Sequence, residues 1–431
     1  MAGKVNTKFV VLLSVGLVAV FGLLAWGFVT LAFKSGGDYE RLGDQAMQQG
    51  DYYRAHRMYG RAVAHDTTNR VWLDKWVQAM EAWTPDTETA YRDAYQKNYL
   101  GALNQLAMAQ RTDVAAHERL IRQFYVPLTR QYSRPSADAV ADMARNAASY
   151  FTGSPDGEWR RLLRYRGLAM EAVLSANGVL DDEQIAQIAE DLRAALDADP
   201  GDGASMAALM RWTVVTQTRA ARTDAARVSA EARREALGMG EAYLAEHPND
   251  PDVELAILSL KGDLEYTKAL QIPDESARMP SILAALEAFH PELDRVARLL
   301  REAEPGRVDV THLVRFQRLE MFMDGAARLR RSLALTEEFL SRRPEDAELL
   351  MVSARMAQLA GELDRSSELL EKVSALPSLP VSMEGLFRHN LKRSAVLTRA
   401  GVMLDLHQRA MAEAAQGGDN AADAASLLET A

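Results

Sequence analysis

The spacing of apolar residues over positions 36–69 predicts two amphipathic helices that pack against each other. In the first helix, residues three and four positions apart form one stripe: Tyr39, Leu42, Gly43 and Ala46. In the second helix, the same spacing joins another set: Tyr52, Ala55, Tyr59, Ala62 and Val63. A turn that contains glycine separates the two stripes. The pattern therefore predicts a helical hairpin whose small residues let the two helices approach closely.

This alternation of large and small residues resembles the tetratricopeptide repeat (TPR), a helix-turn-helix unit of about 34 residues. Gly43, Ala55 and Ala62 stand where the two helices must cross, and tyrosines fill the space beside them. At the position where the family usually has a helix-ending proline, this chain has Thr67. The resemblance implies an all-α solenoid of stacked hairpins, which binds proteins or peptides in a concave groove lined by the first helix of each repeat.

The end of this hairpin recurs along the chain. Four helix ends share an apolar pair, a short polar run and then proline (threonine in the first): 61–69, 193–202, 241–250 and 337–346. Four such ends in the same phase predict a TPR-like repeat domain over 36–376, with irregular parts at 86–150 and 271–305. A capping helix at 381–415 and a flexible tail at 416–431 are expected to follow.

The N-terminal region has a different pattern, a run of 25 uncharged residues at 9–33. As a helix this run would be about 38 Å long, against a hydrocarbon core of ~30 Å. With the short basic segment at 1–8, it predicts a transmembrane anchor of a single-pass bacterial inner-membrane protein. The N-terminus would be cytoplasmic and the helical body periplasmic. A cleaved signal peptide is the alternative, although its apolar region is shorter.

Composition and charge narrow the class of partner. Alanine, leucine, glutamate and arginine dominate, and no stretch beyond the uncharged run alternates with period two, which favours an all-α body. Without Lys4, Lys8 and Lys34, 47 basic residues stand against 60 acidic ones, a net charge of −13. Such a body should repel nucleic acid, so none is expected as a partner. The chain has no cysteine, which excludes disulfides and thiolate metal sites.

No stretch of the sequence has the spacing of a catalytic, cofactor or metal motif. The eight histidines form no HExxH pair, and neither a glycine-rich phosphate loop nor a GxSxG elbow occurs. No enzyme activity, cofactor or metal is therefore expected. Asp181 and the two acids after it open a predicted helix, where acids act as caps. Pairing within the chain, or docking of an acidic protein segment, would explain one basic cluster: Arg160, Arg161, Arg164 and Arg166.

Two candidate partner surfaces belong to the best-matched hairpin and the helix after it. The TPR resemblance implies that four first-helix positions are exposed and suit a basic or polar partner: Glu40, Asp44, Met47 and Gln48. On the next predicted helix, three rings share a face: Trp72, Trp76 and Trp83. These rings either cover the interface between repeats or line an exposed aromatic groove.

Two classes of function remain open from the sequence. The first is a membrane-anchored scaffold that mediates protein–protein interactions in the assembly or organisation of an envelope complex. The second is an enzyme or ligand receptor built on a helical solenoid. That second class needs polar side chains that converge from distant helices, and a sequence does not display such convergence.

Overall fold

The structure, a computed structural model, divides the chain into two compact units. Unit 1 extends to Gln110, and unit 2 begins at Arg111. Helices and turns make up the described residues, which contain no strand: 16–22, 34–151, 157–220, 225–304, 306–324 and 329–415. The predicted basic segment at 1–8, most of the predicted anchor at 9–33 and the predicted tail at 416–431 lie outside the described residues.

The prediction of a single-pass membrane protein is wrong. Within the ranges that the structure describes, no helix is long and apolar enough to cross a membrane. Of the predicted anchor, the structure describes the helical stretch 16–22.

Unit 1 begins with the predicted hairpin. Helix α1 is Gly36–Gln48 and helix α2 is Tyr52–His65, and α3 (Arg70–Ala82) packs on α2. Ser35 caps α1 in a reciprocal capping box. Asp51 caps α2 by accepting a hydrogen bond from a backbone N–H of its first turn. Local sequence therefore determines where both helices start.

The two helices of this hairpin cross where the sequence predicts. Gly43 of α1 faces the ring of Tyr59 on α2, and a Cβ added to Gly43 would lie 2.5 Å from a ring carbon. Ala46, Ala55 and Ala62 are buried around this crossing. The predicted close approach of α1 and α2 at small residues is confirmed.

The helical stretch that follows α3 is divided into three parts. Helix α4 (Glu88–Asp93) leads into a π-helical segment, Ala94–Tyr99, and then into α5 (Leu100–Ala109). Tyr95 and Tyr99 are buried in the π-helical segment, and their ring centroids lie 5.7 Å apart. A π turn holds an extra residue and changes which positions share a face. A search for the α-helical period does not reveal it.

Unit 2 is a succession of longer helices. They are α6 (Val114–Arg130), α7 (Arg134–Ser149), α8 (Arg161–Ser175), α9 (Asp182–Ala198), α10 (Gly203–Ala220), α11 (Ala225–Glu246), α12 (Pro251–Leu270), α13 (Glu275–Glu287), α14 (His290–Glu302), α15 (Val310–Asp324), α16 (Arg330–Arg342), α17 (Ala347–Leu359), α18 (Leu363–Ala375) and α19 (Met383–Ala415). Helix α19 covers most of the range predicted as a capping helix.

The helices of unit 2 form repeated hairpins. Helices α6, α8, α10, α12, α15, α17 and α19 each contact the next in that order, and we call them the first-helix row. The second helices α7, α9, α11, α16 and α18 alternate with them along the chain. Helices α13 and α14 are inserted between α12 and α15, in the stretch 271–305 that the sequence predicts to be irregular. The predicted all-α fold of repeated hairpins is confirmed.

Helix ends in unit 2 follow local sequence signals. Ser133 caps α7. Asp181 caps α9 in a capping box, as predicted. Helices α9, α11 and α16 end inside the three predicted helix ends of this unit: 193–202, 241–250 and 337–346. Asn249 has a φ of 63° in one of these turns, a left-handed conformation that asparagine tolerates better than most residues.

Candidate binding surface

The predicted first-helix acids of unit 1 lie against α3. Lys75 Nζ is 2.7 Å from Glu40 Oε1 and 2.9 Å from Asp44 Oδ1. Trp72 Nε1 donates to Glu40 at 2.9 Å, and the Tyr59 hydroxyl donates to Asp44 at 2.7 Å. Hydrogen bonds from Lys75 and Trp72 lower the pKa of Glu40, which keeps this carboxylate charged. Both acids therefore bind a lysine of their own unit, while the side chains of Glu40 and Asp44 stay 26% and 41% exposed.

The other predicted contact residues of unit 1 are mostly engaged in packing. Met47 packs against the core of the hairpin, and Gln48 is exposed. Trp72 and Trp76 pack against a buried cluster formed by α2, α3 and α5. Trp83 stacks on a buried histidine of α2, with ring centroids 4.8 Å apart. This arrangement is one of helix packing, and a partner-binding role for these residues stays a prediction.

A second polar surface follows the first-helix row of unit 2, where arginine–carboxylate pairs join successive helices. Arg211 of α10 donates through Nε and Nη2 to Glu171 of α8, at 3.1 and 2.9 Å. Nε of Arg164 on α8 lies 3.0 Å from Oδ2 of Asp202, which precedes α10. These pairs connect α8 and α10 twice, once near the start of α10 and once near its middle.

The next pair in the row joins α12 and α15. Arg315 Nη1 donates to Asp252 Oδ1 at 2.7 Å. His312, one turn earlier on α15, has Nε2 3.3 Å from Asp252 Oδ2 and Nδ1 2.7 Å from Asp309. Asp252 is thus bound by two cationic side chains of the neighbouring helix.

Three of these arginines converge around Tyr125 of α6 and Asp252. The charges of Arg164 and Arg315 act on Tyr125, and those of Asp252 and Tyr125 act on Arg211. Burial raises the pKa of the Tyr125 phenol to about 12, so its hydroxyl stays protonated. Burial opposes the charge of Arg164, yet the nearby carboxylate charges raise its pKa. We call these four residues the arginine cluster: Tyr125, Arg164, Arg211 and Arg315.

His312 couples this surface to pH. Burial lowers the pKa of its imidazole, but the hydrogen bonds and charges of Asp252 and Asp309 raise it to about 9, above the usual 6.5. A histidine pKa that rises on folding stabilises the fold fully below the unfolded value. That stabilisation is lost as the pH rises through 9. The rise of the His312 pKa from 6.5 to about 9 corresponds to roughly 3 kcal/mol of stabilisation of the folded state.

We therefore expect the effect of His312→Gln to depend on pH. The substitution should lower the free energy of unfolding of unit 2 by roughly 2–3 kcal/mol near pH 6 and by much less at about pH 10. Urea denaturation of both proteins across this range measures the difference. An equal loss at every pH would show that the imidazole contributes through packing and not through its charge.

An ion pair joins distant helices of the first-helix row. Nη2 of Arg130 on α6 lies 2.7 Å from Oε2 of Glu348 on α17. The same guanidinium lies over the ring of Phe387 on α19, 4.3 Å from its centroid. Burial raises the pKa of Glu348 to about 7, and the charge of Arg130 opposes that rise. The first helix of the row is thus tied to the last two.

Only part of this surface has a signal in the sequence. Pairing within the chain is confirmed for three members of the predicted basic cluster: Arg161 with Glu118, Arg164 with Asp202 and Arg166 with Asp191. Arg211 and Arg315 belong to no such cluster, and their partners lie on other helices. A local pattern does not reveal pairs of this kind.

The chemistry of the surface is charge and hydrogen bonding. It offers three guanidinium groups, a protonated phenol and an imidazole that is cationic at neutral pH. Throughout the described ranges, no three His, Asp or Glu side chains are arranged to hold a metal ion. The arrangement is therefore suited to binding a polar partner group.

Comparisons with known proteins give structural similarity alone. No protein-family model and no curated protein matches the chain. A human IFIT1 dimer with m7Gppp-AAAA is 14% identical, with 75% of this chain and 67% of that chain covered and a TM-score of 0.30. Yeast Tom70 is 14% identical, with 86% of this chain and 90% of that chain covered and a TM-score of 0.23. The P58(IPK) TPR domain is 12% identical, with 84% of this chain and 99% of that chain covered and a TM-score of 0.21. Similarities this low assign no function.

The fold is assigned from the helical hairpins of this chain. Gly43 meets Tyr59 in the hairpin of unit 1, and first and second helices alternate along unit 2. The fold is TPR-like. In such folds the first helices line one surface, which here is the row that holds the arginine cluster.

Proposed function

We propose that this chain is a TPR-like protein-interaction scaffold and that the first-helix row of unit 2 holds the partner polypeptide. Convergence supports the proposal: the arginine cluster brings side chains of α6, α8, α10 and α15 to one polar surface. Each of its arginines keeps about a third of its side chain exposed. A surface drawn from several hairpins can contact an extended or helical segment at many points.

The proposal assigns a binding role without turnover and places the partner on unit 2. Glu40 and Asp44 are not part of it, since both already bind Lys75. In the arginine-cluster pairs of unit 2, the arginine is more exposed than its carboxylate, whereas Lys75 of unit 1 is less exposed than Asp44. A partner can reach these guanidinium groups without breaking the contacts that join the helices.

Site-specific photo-crosslinking tests this proposal. Photoreactive benzoylphenylalanine in place of Tyr125 should crosslink to partner polypeptides in an extract of the source cells, because Tyr125 lies in the first-helix row. The matched control replaces Glu190, which is exposed on the second helix α9. Crosslinks from position 190 with none from position 125 would place the partner on the wrong side of the hairpins and contradict the proposal.

A further inference from the structure

In each pair of the arginine cluster, the arginine side chain is more exposed than the carboxylate that it binds. The side chains of Glu171 and Asp202 are 4% and 5% exposed, whereas those of Arg211 and Arg164 are 36% and 33% exposed. Arg315 is 39% exposed above a carboxylate that is 20% exposed. Each pair is neutral in sum, and the arginine is the more accessible member of each pair.

Each guanidinium also keeps donors that its carboxylate does not use. An arginine has five N–H donors in a planar fork. Arg211 uses Nε and Nη2 on Glu171, and Arg315 uses Nη1 on Asp252. Among contacts between described residues, Nη1 of Arg211 and Nε of Arg315 donate no hydrogen bond. A second carboxylate can therefore bind without displacing the first.

We propose that the arginine cluster binds an acidic segment of a partner polypeptide, whose aspartate or glutamate side chains meet Arg164, Arg211 and Arg315. This inference rests on the proposed function and names the chemistry of the partner. Guanidinium groups pair with carboxylates through short, directed hydrogen bonds, which neutral amides match poorly. Tyr125 adds a hydroxyl donor, and its ring can cover the apolar part of a side chain.

A nucleic acid fits this surface less well than an acidic polypeptide. Asp252 lies among the three arginines, and Asp309, which is 63% exposed, lies beside His312 in the same row. A continuous phosphate backbone would meet these carboxylates, whereas acidic side chains separated by neutral residues can avoid them. The net charge of −10 on the whole chain also opposes a polyanion of high charge density.

The test replaces both members of a pair, so that no buried acid is left without a partner. One variant combines Arg211→Gln with Glu171→Gln, and a second combines Arg164→Gln with Asp202→Asn. The matched control combines Arg295→Gln with Glu254→Gln. Arg295 of α14 is 41% exposed over Glu254 at 8%, the same arrangement as in the cluster. Glu254 is two residues from Asp252, which places the two acids on opposite sides of α12.

The probes are fluorescein-labelled peptides that alternate alanine with glutamate, glutamine or lysine, all with amidated C-termini. Fluorescence anisotropy with the full chain should show binding of the glutamate peptide, weakened by added salt. Each cluster variant should bind it about tenfold or more weakly, and the control variant should bind it like wild type. Circular dichroism checks that every variant keeps its helical content.

Several outcomes would overturn the inference. These are no binding of the glutamate peptide, equal binding by the cluster variants, and tighter binding of the lysine or glutamine peptide or of labelled poly(U) RNA. Tighter binding of the lysine or glutamine peptide, lost in the cluster variants, would leave the proposed function standing and remove the acidic partner. If no peptide binds and position 125 gives no crosslinks, the proposed function fails as well.

Discussion

Replacing Gly43 by leucine should strongly destabilise unit 1. A Cβ at this position would lie 2.5 to 2.8 Å from three carbons of the Tyr59 ring. That ring cannot yield easily, because Tyr59 is 2% exposed and its hydroxyl is bonded to Asp44. Overpacking of this kind costs about 1–3 kcal/mol, and a branched side chain at a helix crossing belongs at the upper end.

Hydrogen–deuterium exchange resolved along the chain measures this effect within unit 1. We expect faster exchange across α1 and α2 in Gly43→Leu and unchanged exchange in unit 2. The matched control is Gly37→Leu on the same helix, where an added Cβ has its nearest neighbour at 3.9 Å. Equal exchange in the two variants would mean that α1 and α2 do not cross at Gly43, and the hairpin assignment would then lose its main support.

Replacing Arg166 by methionine should strongly lower the free energy of unfolding of unit 2. Arg166 of α8 donates through Nε and Nη2 to both oxygens of Asp191 on α9. The Asp191 side chain is 2% exposed, so the substitution leaves a buried charge without its cation. Removing one partner of a buried ion pair costs about 3–5 kcal/mol. Urea denaturation at neutral pH should show this loss directly.

Two comparisons separate the stranded charge from lost packing. Adding Asp191→Asn to Arg166→Met should recover most of the stability, because the neutral amide needs no counter-ion. Burial already raises the pKa of Asp191, and without Arg166 it should rise further. The deficit of the single variant should therefore shrink as the pH falls and Asp191 takes up a proton. A deficit that is constant with pH and unchanged by the second substitution would point to packing alone.

The sequence predicts those features that depend on neighbours along the chain. Asp181 caps a helix through residues within one turn, and it was identifiable from its position at the start of a predicted helix. The crossing at Gly43 and Tyr59 was likewise identifiable, since the spacing of small and large residues along a helix fixes which of them meet.

Features that join distant segments were not predictable in this way. Arg211 and Glu171 lie forty residues apart, and nothing near either one indicates the other. The π-helical segment before α5 changes which residues share a helix face, and no distinctive residue composition marks it in the sequence.

The bond between Arg130 and Glu348 changes how unit 2 can come apart. In a repeat array whose hairpins touch only their neighbours, the terminal repeats can fray one at a time. Here, peeling α6 away from α8 also breaks the contacts of Arg130 with α17 and with Phe387 of α19. Loss of contacts at one end of the array therefore destabilises the other end, and unit 2 should unfold in one cooperative step. Unit 2 should also fold slowly, because residues far apart in the chain must first come into contact.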